Sequence, residues 1–292
     1  MSMRIRALRS ALAAGLLLTT ALGAGVANAA HLSIYGLTTE NRLVRFAPTD
    51  PSELTLNVKI SDLRSGETLI GLDKRPVDGQ LYAVGKLGTS AWLYTIDGTT
   101  GAATFVARLD RTSDGAPVEL NGTEFGFDVN PAADALRITS NTGQNLRVLL
   151  SDRVVAGVQR FTGDTFTDAT LNYAGTTATG VTAAAYTNSD TNVATGTVLY
   201  DIDTILDDLV IQSPPNDGTL TKVANLGAST GVLAGFDIRT IDGTNTAYAS
   251  LSRRVGNGAT VANLYLVDLA TGAVTDLGRI GGPKAIRDIA AA

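Results

Sequence analysis

The 292-residue sequence contains no cysteine and only one histidine, His31. The absence of cysteine excludes disulfides and a lipoprotein anchor. A single histidine close to the N-terminus makes a Ser-His-Asp triad untenable, and the sequence has no H-E-x-x-H, C-x-x-C or G-x-S-x-G motif and no phosphate-binding loop. We assign no catalytic residue. Any catalysis would depend on carboxylates, for which the candidates are Glu67, Glu119, Glu124, Asp201 and Asp203.

Long apolar runs are also absent beyond the first thirty residues. There, three arginines precede an apolar segment at residues 11–22, and an A-x-A cleavage site ends at Ala29. The apolar segment is too short for a confident membrane span. These features predict a Sec-type signal peptide over residues 1–29 and a single exported domain over residues 30–292, either periplasmic or extracellular.

Basic residues are scarcer than acidic ones. The sequence has 23 lysines and arginines against 28 aspartates and glutamates, and the predicted signal peptide holds three of the arginines and no acid. Its removal leaves 20 basic against 28 acidic residues. A negative surface does not attract nucleic acid or anionic membranes, so we expect neither as a partner.

The most regular feature of the sequence is a recurring Gly-x-Asp motif. Its aspartates are separated by 55, 109 and 51 residues, so the middle step spans two periods and one copy, near residues 183–186, has lost the motif. A regular period of this length indicates one supersecondary unit that is repeated around or along an axis. The motif aspartates are Asp73, Asp128, Asp237 and, in a degenerate copy, Asp288.

Each copy contains four short segments rich in Leu, Val, Ile, Tyr and Thr, separated by turns with Gly, Pro and Asp. This pattern predicts an all-β protein, a β-propeller of five four-stranded blades. Six blades are the alternative, if residues 162–180 form a degenerate blade. The start of the mature chain matches the second strand of the unit, so we expect a C-terminal strand at residues 285–290 to complete the first blade and close the ring. The similar segments 93–97, 199–203 and 264–268 are interpreted as the same strand in three copies.

Several strings of this sequence also resemble a known family. They are residues 126–131 followed by 141–147, then 184–189, 199–203 and 214–220. Together they resemble DUF4394, a family of exported bacterial proteins described as a domain of unknown function. The resemblance spans nearly the whole predicted mature chain. It implies an exported, propeller-like domain and implies no particular activity.

The motif aspartates are the candidate metal ligands. At one position of the innermost strand, Asp73, Asp128, Asp237 and Asp288 would form a ring at the mouth of the central channel. Carboxylate oxygens suit a hard cation, and Ca²⁺ is the cofactor this ring would take. The alternative is that each aspartate caps its own strand-to-turn hydrogen bonds.

Polar residues at 137–147 are the candidate ligand-binding group. Two guanidiniums on one face of a hairpin can hold a carboxylate or sulfate bidentately. The alternative is that these arginines pair with aspartates of neighbouring blades. The ligand-binding candidates are Arg137, Asn141, Gln144, Asn145, Arg147 and, on a later loop, Asn188.

His31 is the third kind of candidate. Cleavage after Ala29 would place it second in the mature chain, where the terminal amine and the imidazole could chelate Cu²⁺. The alternative is a surface histidine without a role.

These observations lead to three functional hypotheses. The first is a secreted, monomeric, non-catalytic binding module for a glycan, a peptide or another envelope or extracellular protein. The second is a calcium-dependent hydrolase of the lactonase type, with the channel-mouth carboxylates and Asn188 as the residues to test. The third is copper handling through His31.

Overall fold

In the computed structural model, which describes residues 32–256, 258–282 and 285–292, the chain forms a five-bladed β-propeller. The predicted signal peptide and His31 lie outside the described residues. Blade 1 begins with β1 (Ile34–Thr38), β2 (Arg42–Ala47) and β3 (Asp50–Lys59). Blade 2 consists of β4 (Thr68–Lys74), β5 (Leu81–Leu87), β6 (Ser90–Ile96) and β7 (Ala103–Arg108).

Blade 3 has five strands and carries the insertions. The strands are β8 (Asp110–Arg111), β9 (Phe125–Asn130), β10 (Ala135–Ser140), β11 (Asn145–Leu149) and β14 (Asp164–Thr167). Their order in the sheet is β8-β14-β11-β10-β9, so β8, the first of them in the sequence, lies at the outer edge. Two small hairpins accompany this blade: β12 (Arg153–Val155) with β13 (Val158–Arg160), and β15 (Asn172–Tyr173) with β16 (Thr176–Thr177).

Blades 4 and 5 follow the four-stranded plan. Blade 4 consists of β17 (Val181–Tyr186), β18 (Leu199–Asp203), β19 (Asp208–Gln212) and β20 (Leu220–Asn225), with a 3₁₀ turn at Pro215–Asp217. Blade 5 consists of β21 (Ala234–Ile241), β22 (Thr244–Arg254), β23 (Thr260–Val267) and β24 (Val274–Arg279). The last strand is β25 (Ile286–Ala291). No helix in the described part of the chain is long and apolar enough to span a membrane.

Closure of the ring follows the prediction. β25 pairs antiparallel with β1, with Gly36 opposite Ile289, and thereby becomes the innermost strand of blade 1. Because β25 lies almost at the other end of the sequence, it joins the two ends of the chain in one sheet and covers the inner edge of β1.

The six-bladed alternative does not hold, and one strand assignment was wrong. The segment at 162–180 does not form a sixth blade, because β14 pairs with β11 and completes blade 3. The segment at 199–203 is the second strand of blade 4, whereas 93–97 and 264–268 belong to third strands. All three end in the same way: the carboxylates of Asp97, Asp203 and Asp268 each accept two backbone N–H groups of the following turn.

The glycine of the repeated motif has a packing role. The five innermost strands surround the axis, and a side chain at these positions would collide with the neighbouring blade. A Cβ on Gly71 would lie 2.4 Å from Phe127, and one on Gly235 would lie 2.7 Å from the backbone of Asp288. Close approach of adjacent inner strands therefore requires glycine there.

Apolar clusters fill the spaces between blades. Ile70, Val84 and Leu93 of blade 2 share one cluster with Phe127 and Leu136 of blade 3, and comparable clusters join blades 1 and 2, 4 and 5, and 5 and 1. The contact between blades 3 and 4 differs. Besides Tyr186, it contains several buried polar side chains, and they are Arg137, Thr139, Asn145, Asp201 and Gln212.

Candidate functional site

Three of the four motif aspartates converge on the propeller axis. Carboxylate oxygens of Asp73, Asp128 and Asp237, the aspartate triad, lie within 4.8 Å of one another, and all three residues are buried. The triad comes from the innermost strands of blades 2, 3 and 5, so three separate blades deliver one carboxylate each to a single point.

Each member of the triad also connects its blade to the next. Asp73 Oδ2 accepts the Val129 N–H at 2.9 Å, and Asp128 Oδ2 accepts the Tyr186 N–H at 2.9 Å. Asp237 Oδ2 accepts the N–H of Ala291 at 2.5 Å. These charge-assisted bonds stabilise the ring of inner strands as well as positioning the carboxylates.

Two triad members additionally accept the N–H of their own following residue. The distance is 2.6 Å for Lys74 to Asp73 Oδ1 and 2.6 Å for Ile238 to Asp237 Oδ1. The aspartates therefore do cap the ends of their own strands, as the alternative interpretation expected. These hydrogen bonds do not use all the acceptor capacity of the carboxylates, because each oxygen has two lone pairs and one accepted bond leaves the other lone pair available.

Asp288 is displaced from the motif position by two residues. In blade 1, Ala290 lies opposite Tyr35, as Asp73 lies opposite Tyr82 in blade 2. Asp288 therefore occupies the position of the motif glycine, and its Oδ2 accepts the Leu72 N–H at 3.0 Å. The alignment of Asp288 with the other three aspartates does not hold, although its carboxylate is buried near the same axis.

The fourth blade lacks the motif aspartate, and other polar groups replace its connection to blade 5. Asn188 donates its backbone N–H to Asn245 Oδ1 at 2.9 Å and accepts from Asn245 Nδ2 at 3.0 Å. The Ser189 N–H donates to Thr240 Oγ1 at 2.9 Å. Asn188 thus joins two blades, and its amide is also bound to the carbonyl of Gly196.

Burial and mutual repulsion make the triad a poor place for three negative charges. The pKa of Asp73 is raised well above its ordinary value, mainly by burial and secondly by the nearby Asp237. The pKa of Asp128 is also raised well above its ordinary value, mainly by burial and secondly by Asp73. Burial raises the pKa of Asp237 to about 6, with Arg239 acting in the opposite direction. At neutral pH the triad consequently binds protons or a cation.

A pocket of about 230 Å³, the axial pocket, opens over the triad. The other residues that line it include Lys74, Tyr186, Ser189, Arg239 and Thr240. The donor set fits a hard cation, because the ligands are carboxylate oxygens and the pocket leaves room for water molecules to complete the coordination. Asp73, Asp128 and Asp237 are the residues that would hold such an ion.

The structure places Arg137 and its neighbours in a closed network between blades 3 and 4. The buried guanidinium donates to Asn145 Oδ1 and Asp168 Oδ2, both at 2.7 Å, to Asn216 Oδ1 at 2.9 Å and to the Tyr186 hydroxyl at 3.3 Å. Four of its five N–H groups donate to protein atoms of blades 3 and 4, so the network joins the two blades.

Arg147 shares the face of Arg137, as the sequence predicted, but both converge on one internal acid. Arg147 Nε lies 3.4 Å from Asp168 Oδ2, and its guanidinium stacks 4.4 Å from the centre of the Phe166 ring. Asp168 directly follows β14 and belongs to the same blade. The arginines therefore pair with an aspartate of their own blade, and the connection to blade 4 comes from Asn216 and Tyr186.

Asn141 and Gln144 lie on the turn between β10 and β11, away from the triad. Asn141 Oδ1 accepts the Thr123 N–H at 3.0 Å, and Gln144 Nε2 donates to the Glu119 carbonyl at 2.8 Å. Both side chains hold the 119–124 segment against the turn. The six predicted ligand-binding residues are therefore not brought together in one site.

Sequence reasoning missed the partners that make this network. Asp168 has a side chain only 8% exposed and carries the charge that neutralises Arg137. Asn216 lies in the 3₁₀ turn of blade 4. The pairing of β14 with β11 positions Asp168 beside Arg137 and Arg147. No local sequence pattern predicts that pairing.

Solved structures with a similar arrangement have low sequence identity. A protein from Lactobacillus plantarum is 10% identical, with a TM-score of 0.43, over 89% of this chain and 99% of the other. A proposed 6-phosphogluconolactonase from Bacteroides fragilis NCTC 9343 is 13% identical, with a TM-score of 0.41, over 89% and 98%.

An auxiliary nutrient binding protein from Bacteroides ovatus ATCC 8483 is 14% identical, with a TM-score of 0.38. That match covers 74% of this chain, and this chain spans about half, 55%, of that protein. None of the curated proteins matches the sequence. The model of DUF4394, a domain of unknown function, matches residues 42–290, and the chain therefore belongs to the DUF4394 family.

Proposed function

We propose that this protein is an exported, non-catalytic binding module that holds a hard divalent cation, Ca²⁺, in its axial pocket and presents it to a ligand. The observation that carries the proposal is the approach of three buried carboxylates to within 4.8 Å of one another at the base of an open pocket. Three such groups repel one another, and a divalent cation removes the repulsion while satisfying their free lone pairs.

The first test is thermal unfolding and calorimetric titration of the mature protein with Ca²⁺ after treatment with EDTA. A ligand that binds only the folded state at 100 times its Kd stabilises by about 2.7 kcal/mol, which corresponds to roughly 5–10 °C in Tm for a domain of this size. We expect Asp128→Asn to abolish the shift, because it replaces one of the three carboxylates that would hold the ion with a neutral amide.

Asp288→Asn is the matched control. This residue is also a buried aspartate that accepts a backbone N–H of the adjacent blade, but it lies outside the triad. The Ca²⁺ shift should persist in this variant. A wild-type protein that shows no heat and no Tm change with Ca²⁺ would refute the cation site.

A second candidate function, a metal-dependent hydrolase of the lactonase type, has one specific observation in its favour. The triad lies at the base of an open pocket, so a cation held there would be accessible to an oxygen atom of a substrate. A bound cation would polarise a carbonyl oxygen of the substrate. Turnover of aliphatic or sugar lactones that depends on Ca²⁺ and is lost in Asp237→Asn would favour this function; binding of Ca²⁺ without turnover favours the binding module. Copper binding at His31 stays a prediction.

A further inference from the structure

A larger cleft lies beside the axial pocket, between blades 1 and 2. This interblade cleft has a volume of about 610 Å³ and shares Lys74, Gly79 and Ala292 with the axial pocket. Small-molecule sites usually measure about 300–1,000 Å³. The axial pocket is below that range and suits an ion with its water, whereas the interblade cleft is large enough for an organic ligand.

The walls of the interblade cleft carry the Asp97 carboxylate, one oxygen of which accepts N–H groups of its own turn, and several neutral hydrogen-bonding groups. The side-chain polar groups of Tyr35, Gln80, Thr95 and Thr104 make no hydrogen bond to any residue that the structure describes. Hydroxyl and amide groups both donate and accept, and a ligand rich in hydroxyls is the chemical complement of such a surface. Tyr35 also offers a flat apolar ring that can cover the carbon–hydrogen face of a compact polar ligand.

A single cation marks the boundary between the two pockets. Lys74 is half-buried, lines both pockets and forms no ion pair within the described residues. It follows Asp73 on β4, so its side chain turns to the opposite side of the strand from the triad. An anionic group of a ligand would meet the ammonium from the cleft and, with the axial cation bound, a second positive charge from the other side.

We propose that the interblade cleft binds a hydroxyl-rich organic acid of monosaccharide or disaccharide size, such as an aldonic or uronic acid. Its carboxylate lies at Lys74, and its hydroxyls bind Tyr35, Gln80, Thr95 and Thr104. The contribution of the axial cation to carboxylate binding rests on the proposed function, whereas the contacts with Lys74 and the neutral groups do not.

The test is calorimetric titration of the mature protein with galacturonate, glucuronate and gluconate, with galactose, glucose and acetate as comparison ligands, each with Ca²⁺ and with EDTA. We expect the acids to bind at least about tenfold more tightly than the neutral sugars or acetate, since a charge-assisted bond and the hydroxyl contacts are both needed. Lys74→Gln should remove the preference for acids over neutral sugars. Tyr35→Phe and Thr95→Val, which each delete one hydroxyl, should weaken acids and neutral sugars alike by about three- to tenfold.

Lys59→Gln, which removes an exposed cation outside the cleft, is the control and should leave every affinity unchanged. Absence of binding by all three acids at millimolar concentration would overturn the inference, as would an acid preference that survives Lys74→Gln. Binding of Ca²⁺ without binding of any acid would support the proposed function and refute the inference about the interblade cleft. Binding of acids that depends on Lys74 and is unaffected by Ca²⁺ would support the inference about the interblade cleft and refute the axial cation site.

Discussion

Asp201 offers the sharpest test of how this fold tolerates buried charge. It is fully buried on β18 between blades 3 and 4, opposite Ala184 and Val210 in the neighbouring strands. Neither carboxylate oxygen has a hydrogen-bond partner among the described residues. Burial raises the pKa of Asp201 to about 8, a shift that Arg137 reduces and Asp203 adds to.

The direction of the resulting pH dependence follows from the two pKa values. The pKa of Asp201 is about 8 in the folded protein and about 3.9 in an unfolded chain, so the folded state holds a proton that the unfolded state releases. The stability contributed by this proton is complete below about pH 4 and falls by about 1.4 kcal/mol for each pH unit until the folded pKa is passed. Between pH 5 and 7 the loss is about 3 kcal/mol.

Asp201→Asn keeps the shape of the side chain and removes its titration. We expect the variant to be more stable than the wild type at pH 7, and to lose about 3 kcal/mol less free energy of unfolding between pH 5 and 7. The triad aspartates titrate in both proteins, so the difference between the two pH profiles isolates Asp201. Urea unfolding at pH 5, 6, 7 and 8, followed by circular dichroism, measures the profiles.

The control for this experiment is Asp217→Asn, which deletes a carboxylate from the exposed loop of blade 4. Its profile should run parallel to the wild type. If the profile of Asp201→Asn is also parallel to the wild type between pH 5 and 7, the reasoning about the buried, unpaired carboxyl is refuted.

Three further predictions concern the stability of the ring, each measured by urea unfolding. Deleting residues 286–292 should lower the free energy of unfolding by at least about 3–6 kcal/mol, because two buried isoleucines leave the core and β1 loses its inner neighbour. An unchanged free energy of unfolding would contradict closure by β25. Arg137→Met should lower the free energy of unfolding by about 3–5 kcal/mol, because it leaves Asp168 buried without its main partner. Arg147 is partly exposed, so Arg147→Met should lower it less. Equal decreases in the two variants would show that the buried ion pair is not the cause. Gly235→Ala should lower the free energy of unfolding by about 1–3 kcal/mol, because the new methyl group contacts the Asp288 backbone. Gly256 has open space around it, so Gly256→Ala should leave the free energy of unfolding unchanged. An unchanged value for Gly235→Ala would mean that the inner strands adjust freely.

Much of the architecture could be predicted because the repeat is encoded locally. The Gly-x-Asp motif recurs where an inner strand must approach its neighbour and accept an N–H from it, so both residues are specified by the contact that blades 2, 3 and 5 repeat. The motif fails where the contact is made differently. In blade 4 the connection passes through Asn188 and Ser189, and in β25 an aspartate stands at the glycine position.

The candidate site was less accessible to sequence reasoning. A shift of two residues along a strand leaves a side chain on the same face, so hydrophobic alternation does not reveal that Asp288 is displaced. The convergence of the triad is set by the ring geometry of three blades that are 55 and 109 residues apart. The hydrogen-bond partners of Arg137 include Asp168 and Asn216. These two residues come from an insertion and a loop that have no counterpart in the other blades, so the repeat does not predict them.

Closure by β25 has a consequence for the newly made chain. β1 ends at Thr38, and its inner neighbour starts at Ile286, so roughly 250 residues separate the two halves of one sheet. At a synthesis rate of roughly 5–20 residues per second, the hydrogen-bonding edge of β1 has no partner from its own chain for about 10–50 s. β1 pairs early with β2, but its inner edge is the last to be paired. During that interval the nascent protein exposes an edge that another unfinished copy could occupy.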